Sequence, residues 1–308
     1  MKNEWKGYIG VLIATIAMSN VYVFSKAALK ELDLIQFGVY WFGFALLWNI
    51  LYLGLTGKYK SLFKTKKKQV KILILLGLME IIATTGFFAA IKLMHNPANV
   101  SFLANIGPVY VVLLGYWLLK EELTRYEIIG GILTLIGAFI ISYKPNWEFD
   151  HNFLIGLSLI MIYTFVFALG KIISKKNIKD INPSVLTINR VIFLFVFSLT
   201  VFIFNGENLE ISNTALINTI LGSILGPLLA AGAGYYAIQF IPASKASLLG
   251  TFKGFLVLLT SYLYFDIFPL WYQVLGGSLT VLGVVTITLA KQIKNKKLKQ
   301  QKANLSTI

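Results

Sequence analysis

No cysteine occurs among the 308 residues, and only thirteen residues are acidic. Without cysteine there is no disulfide and no thiolate metal site. The two histidines, His95 and His151, fall in predicted short loops, so no apolar run carries one. Also missing are a G-x-S-x-G nucleophile, a Walker A motif and a paired-aspartate motif for diphosphate chemistry with magnesium. These absences argue against a membrane enzyme and exclude an ATP-driven pump within this chain. No catalytic residue, no metal site and no cofactor is expected. Charge is scarce as well: 13% of residues carry it, about half of the roughly 25% usual in a soluble domain. That excludes the soluble globular class.

Apolar residues fill the space, at 57% of the chain and a mean hydropathy of +0.74. Read in a window of about nineteen residues, apolar segments fall near 7–26, 34–56, 71–92, 97–119, 127–144, 153–173, 184–204, 214–240, 243–265 and 269–290. Each approaches the roughly twenty residues a helix needs to cross the hydrocarbon. The expected fold is all-α and integral to the membrane, with ten transmembrane helices. The first segment lacks a small-x-small cleavage site followed by a polar chain, so it reads as the first span and not as a leader. Short loops make neighbouring helices antiparallel, and an even number of spans puts both ends of the chain on one side.

Lysine and arginine select that side. With the first residues inside, inner segments hold twenty-two of them and outer loops only four, Lys26, Lys30, Lys92 and Lys144. This bias predicts cytoplasmic N- and C-termini. The run "KTKKKQVK" (64–71) and the tail "KQIKNKKLKQQK" (291–302) then read as anchors against anionic lipid. Despite the net charge of +15, no nucleic-acid partner is expected.

The chain also repeats itself. A shift of 145 residues lays Pro97-Ala98 on Pro242-Ala243, Leu103 on Leu248 and Glu121 on Asp266. A shift of 146 lays Gly130-Gly131 on Gly276-Gly277, Thr134 on Thr280 and Gly137 on Gly283. The expected divisions are 1–148, 149–290 and a basic tail, 291–308. Five spans per half is odd, so the second half enters the membrane from the opposite face. The loop charges agree: 57–71 carries seven lysines, its counterpart 205–213 none. An inverted repeat of two five-helix halves is the architecture of alternating-access transporters, with substrate near mid-membrane between the halves.

Two stretches carry a family resemblance: "NPANVSFLANIGPVYVVLLGYWLLKEELTRYEIIGGILTLIGAFII" (96–141) and "IPASKASLLGTFKGFLVLLTSYLYFDIFPLWYQVLGGSLTVLGVV" (241–285). Each has an Ala/Ser-rich helix start, an acidic residue after the helix and a glycine-rich last helix. Together with the repeat, the chain resembles the drug/metabolite transporter superfamily, specifically its EamA-like bacterial members. The resemblance implies movement of small metabolites across the bacterial plasma membrane, through a central cavity lined by the first, third and fourth helix of each half. The family's mid-helix proline is present as Pro108, but Lys253 stands at the corresponding place in the second half.

Polar residues inside apolar spans are costly, so they mark candidate sites. Lys253 lies too deep for its stem to reach the headgroups and is read as a contact for substrate or coupling ion. Glu80, the only carboxylate deep in a span, reads as a proton-coupling or substrate-amine site, or as a fixed pair with Lys253. Thr84 shares its helical face. Arg190, nearer a span end, reads as a snorkelling side chain. Asn105, with Asn20 and Tyr22 in span 1 and Tyr163 and Phe167 in span 6, completes the substrate-binding set. Pro108 and Pro227 interrupt helices and are candidate hinges. Glu121 and Asp266, at span ends, read as caps. The glycine-rich last helices read as close packing or as a dimer face, so a homodimer stays open. The function these residues suggest is secondary transport of a small polar metabolite, an amino acid or organic anion, in the efflux direction. The alternatives are import of a quaternary amine such as choline, held by aromatics, and broad-specificity drug export.

Overall fold

The computed structural model describes residues 2–62, 65–94, 97–142, 151–206, 208–266 and 270–305. His95, Lys144, Glu207 and most of the boundary between the two sequence halves lie outside the described residues. The described residues form thirteen α-helices and no strand. In order they are α1 (Lys2–Leu29), α2 (Leu34–Thr56), α3 (Lys67–Leu93), α4 (Pro97–Leu103), α5 (Ile106–Leu119), α6 (Arg125–Ser142) and α7 (His151–Asn177). Then follow α8 (Pro183–Asn205), α9 (Asn213–Ser223), α10 (Ala231–Phe240), α11 (Ala243–Leu249), α12 (Lys253–Phe265) and α13 (Trp271–Leu305).

Local chemistry sets many of these boundaries. Asn182 accepts from the Ser184 amide at 2.9 Å with Pro183 behind it, and Ser212 accepts from the Ala215 amide at 3.1 Å. Gly57 and Gly206, at φ 67 and 62, end α2 and α8 in the left-handed region that glycine enters freely. At the start of α6, Glu127 accepts from the Thr124 amide at 2.7 Å while Thr124 Oγ1 accepts from the Glu127 amide at 3.3 Å, a reciprocal capping box.

The bundle is turned outward in its polarity. On α1, Ile9, Leu12, Ile13 and Ile16 are exposed, while Thr15, Ser19, Ser25 and Lys26 are buried. Apolar side chains facing out and polar ones packed in is the arrangement that a hydrocarbon solvent favours. Among the described residues, eight helices are long and apolar enough to cross a membrane, and Ile106–Leu119 is a shorter apolar helix. The chain is a multi-pass membrane protein.

Two of the ten expected segments are not among those eight. Segment 97–119 is broken into α4 and α5. Pro108 cannot donate to the Ala104 carbonyl, and the Gly107 amide takes its place at 3.0 Å, one residue tighter than an α-helical bond. Segment 127–144 is the 18-residue α6. The basic tail, expected as a separate element, continues α13 as helix to Leu305. Pro227 sits inside a π-helical stretch, Ile224–Ala230, that joins α9 to α10 without a sharp break.

The glycine-rich helices α6 and α13 pack on each other. A Cβ on Gly130 would lie 2.7 Å from the Gly283 carbonyl, and one on Gly137 would lie 2.5 Å from that of Gly276. One partner number rises as the other falls, so the pair is antiparallel. The glycine stripes are therefore used for close packing within the chain, the first of the two readings given to them above. The remaining helices pack as α3 on α7, α2 on α8, α5 on α7 and α1 on both α10 and α12.

Candidate functional site

A cavity of about 250 Å³ opens inside the bundle. It is walled by α1, α3, the α4–α5 break, α7, the α9–α10 segment and α11–α12, with Trp41 of α2 and Arg190 of α8 reaching in. One part of the wall is aromatic. Tyr22 and Phe87 meet edge to face at 5.0 Å between centroids, Phe87 and Tyr163 at 5.5 Å, and Trp41 and Phe88 at 5.3 Å. Edge-to-face pairs add about 0.5–1.5 kcal/mol each beyond area burial, so this wall is rigid. Phe167 touches the cavity but is itself 45% exposed, which places it at the rim.

The other part of the wall is charged. Glu80 Oε2 lies 3.0 Å from Arg190 Nε. The guanidinium donates its hydrogen bond to Thr84, from Nη2 to Oγ1 at 3.2 Å, and Thr84 donates to Glu80 Oε2 at 3.1 Å. Tyr235 donates to Glu80 Oε1 at 3.4 Å. Three helices, α3, α8 and α10, are thus tied at one ion pair. The sequence reading offered a Glu80–Lys253 pair as one alternative and had Arg190 snorkel; in the structure α8 packs against α3 and Glu80 pairs with Arg190 instead.

Lys253 begins α12, straight after a 3₁₀ turn at Gly250–Phe252, and lines the cavity. Among the described residues it makes no hydrogen bond or ion pair. Lys171 of α7 also lines the cavity and donates to Ser247 Oγ at 2.7 Å. Counting by sequence put Lys171 among the inner-loop lysines. The helix runs on to Asn177, however, and keeps Lys171 inside the bundle.

Thr84, Tyr22, Tyr163 and the two hinge candidates Pro108 and Pro227 line the cavity. Two other sequence candidates do not. Asn20 donates to the Ile16 carbonyl of its own helix at 2.9 Å and is absent from the wall. Asn105 is buried at the α4–α5 break against Gly254, with neither side-chain polar atom partnered. Neither is a cavity residue in this conformation. Among the described residues no three His, Asp or Glu side chains gather to hold a metal ion.

Outside the cavity, two lysines do matching work. Lys26 of α1 donates to the carbonyls of Ile91, Lys92 and Met94 at 2.9, 3.2 and 2.6 Å, closing the C-terminal end of α3. Lys175 of α7 donates to those of Ile238 and Ile241, the latter at 2.9 Å, closing the end of α10. Helix C-termini leave carbonyls unpaired and carry partial negative charge, so an ammonium suits both places. Replacing Lys26 with methionine strands three carbonyls, and we expect a loss of about 2 kcal/mol, read as a lower thermal midpoint in detergent. An unchanged midpoint would contradict the clamp.

A third set ties α11 to the first half. Glu121 accepts from the amides of Ala243 and Ser244 at 2.8 and 2.9 Å and from Ser244 Oγ at 2.6 Å. Glu121 is thus a cap, for a helix of the other half. Buried Lys245 pairs with Glu127, the capping-box residue of α6.

The profile of the EamA-like transporter family matches this chain twice, over residues 5–143 and 154–289. The chain belongs to the EamA-like transporter family. An uncharacterised transporter of Bacillus subtilis, YyaM, is 23% identical over 77% of this chain and 79% of its own length. An uncharacterised transporter of a Synechocystis species is 25% identical over 79% of this chain and 72% of its own. A solved crystal structure is similar in fold, with a TM-score of 0.73 at 15% identity over 94% of this chain and 97% of that one. For an EamA-like protein, the cavity between its helices is the place where cargo is expected. The residues that sequence reasoning missed there, Lys171, Arg190, Tyr235 and Ser247, share one available signal. Each is a polar residue inside one of the apolar segments drawn above, 153–173, 184–204, 214–240 and 243–265.

Proposed function

We propose that this EamA-like protein is a secondary, alternating-access transporter of a small organic anion. It works in the bacterial plasma membrane with both termini cytoplasmic and moves its cargo outward. The carrying observation is the charge of the cavity wall: Lys171, Arg190 and Lys253 face one carboxylate, Glu80, and Glu80 is already held by Arg190. A cavity between helices whose lining carries unbalanced positive charge attracts anions and repels cations. With Glu80 engaged, no other carboxylate lines the cavity among the described residues to meet a substrate amine, so an organic acid fits better than an amino acid.

Ten crossings as an inverted repeat complete the reading. Exchanging the two halves turns the α3–α7 contact into α10–α1 and α5–α7 into α12–α1, and all four contacts are present. The left-handed caps that follow α5 and α12, Lys120 and Asp266, both have φ 54 and lie 146 residues apart. The carbonyls held by Lys26 and Lys175 are 147 residues apart, Ile91 with Ile238 and Met94 with Ile241. Such pairing supports two halves that exchange conformations to open the cavity first to one side and then to the other.

Thermal stabilisation of the purified protein tests the substrate class. Saturating anion, at about 100 Kd, adds about 2.7 kcal/mol to apparent stability. Organic acids should stabilise the wild type and lose most of that effect in Lys253→Met. Stabilisation of both proteins by quaternary amines, with none from acids, contradicts the anion reading and moves the site to the aromatic wall.

A further inference from the structure

We infer that Lys171, Ser247 and Lys253 form a head-group subsite for a doubly charged anion, a phosphomonoester or a dicarboxylate. This rests on the anion reading above and sharpens it.

The cavity wall carries four charges, and two cancel. Arg190 and Glu80 are in ionic contact at 3.0 Å, with Thr84 and Tyr235 donating to the same carboxylate. Two ammonium groups remain. Lys171 spends one donor on Ser247 Oγ at 2.7 Å, and Lys253 has no hydrogen bond or ion pair among the described residues. Glu121 acts electrostatically on Lys171. Its oxygens, however, accept from the two amides at the start of α11 and from Ser244, so it belongs to that cap. Lys171, Ser247 and Lys253 line the same cavity.

Donor count and charge give the same answer. Each ammonium has three donors, so about five N–H groups stay open on the two lysines. A single carboxylate offers about four lone-pair sites and one negative charge. It would meet at most about four of those five donors and leave one of the two lining ammonium groups without a full set of contacts. A phosphoryl group with three oxygens, or two carboxylates on one small molecule, matches both the donors and the charge. Ser247 lies on α11 and Lys253 on α12, on either side of the 3₁₀ turn Gly250–Phe252. With Lys171 on α7, the subsite is built wholly from the second half. The aromatic wall, Tyr22, Trp41, Phe87, Phe88 and Tyr163, is left for the apolar body of the molecule.

Calorimetric titration of the purified full chain with probes of one body and different heads tests this. The probes are phenyl phosphate, phenyl sulfate, phenylsuccinate, 3-phenylpropionate and trimethylphenylammonium. At pH 7.5, taken as a working value about 1.5 units above the second phosphate pKa of about 6, the two dianions should bind roughly 10-fold or more tighter than the two monoanions. Lowering the pH through about 6 should weaken phenyl phosphate and leave phenyl sulfate unchanged. Lys171→Gln and Lys253→Gln should each erase the dianion preference, while Lys171→Arg and Lys253→Arg should keep most of it. The wild-type series stands even where a variant fails to fold. Equal binding of mono- and dianions by the wild type overturns the dianion inference and leaves the anion transporter intact. A dianion preference that survives both glutamine variants overturns the placement. Binding of trimethylphenylammonium alone overturns the anion reading itself.

Discussion

Glu80→Gln should cost the folded protein about 3 kcal/mol, because it leaves the Arg190 guanidinium facing a neutral group inside the bundle. The two side chains are only 11% and 19% exposed, and their 3.0 Å contact is the sole ionic link between α3 and α8 among the described residues. Breaking a buried pair by removing one partner typically costs 3–5 kcal/mol; contact with the cavity puts this pair at the low end. Arg190→Met should cost a similar amount, since it leaves the carboxylate with only Thr84 and Tyr235 as donors. The double variant should be less destabilised than the sum of the two, by about 1–3 kcal/mol of coupling. Thermal midpoints of the four proteins in one detergent measure this cycle. Strict additivity would mean that the two groups do not interact, and that Arg190 points elsewhere.

The second large effect is steric. A Cβ on Gly137 would lie 2.5 Å from the Gly276 carbonyl and from Thr280 Oγ1, and 2.6 Å from the Thr280 amide. Two of those three atoms are backbone, and Thr280 is fully buried, so no side chain can swing clear. Gly137→Leu must push α6 off α13, and overpacking of this kind costs about 3 kcal/mol. Gly54→Ala is the control. A Cβ there meets nothing within 4 Å, so the helix propensity of alanine should make it neutral or slightly stabilising, by up to about 1 kcal/mol. Equal midpoints for the two variants would contradict the α6–α13 packing.

Much of the architecture is written in hydropathy, which reports the solvent directly. Apolar runs locate α1, α2, α3, α7 and α8 because hydrocarbon on one side and helices on the other leave few places for charge. The glycines at 130, 137, 276 and 283 announce close approach, but not the partner. A small-residue stripe looks the same whether it meets its own chain or another. Charge is the less legible part. Lys253 and Glu80 stand out because each lies deep within an apolar run. Lys171 and Arg190 sit nearer the ends of theirs, where a long side chain can reach water. Only the packing of α7 and α8 decides that they turn inward. The Glu80–Arg190 contact spans 110 positions of sequence, and no local pattern encodes it. Asn20 illustrates the reverse error: a polar residue in a span can satisfy its own helix, as its bond to Ile16 does.

Solute-gradient currents from proteoliposomes on a solid-supported membrane test the central claim most directly. Phenyl phosphate, phenylsuccinate, 3-phenylpropionate and trimethylphenylammonium are applied in turn to liposomes of wild type and of Lys253→Met. The account predicts saturable currents for the anions, greatest for the dianions, and their loss in Lys253→Met. Saturable currents for the ammonium compound alone, equal in both proteins, would show that the positive cavity is not the route of the cargo.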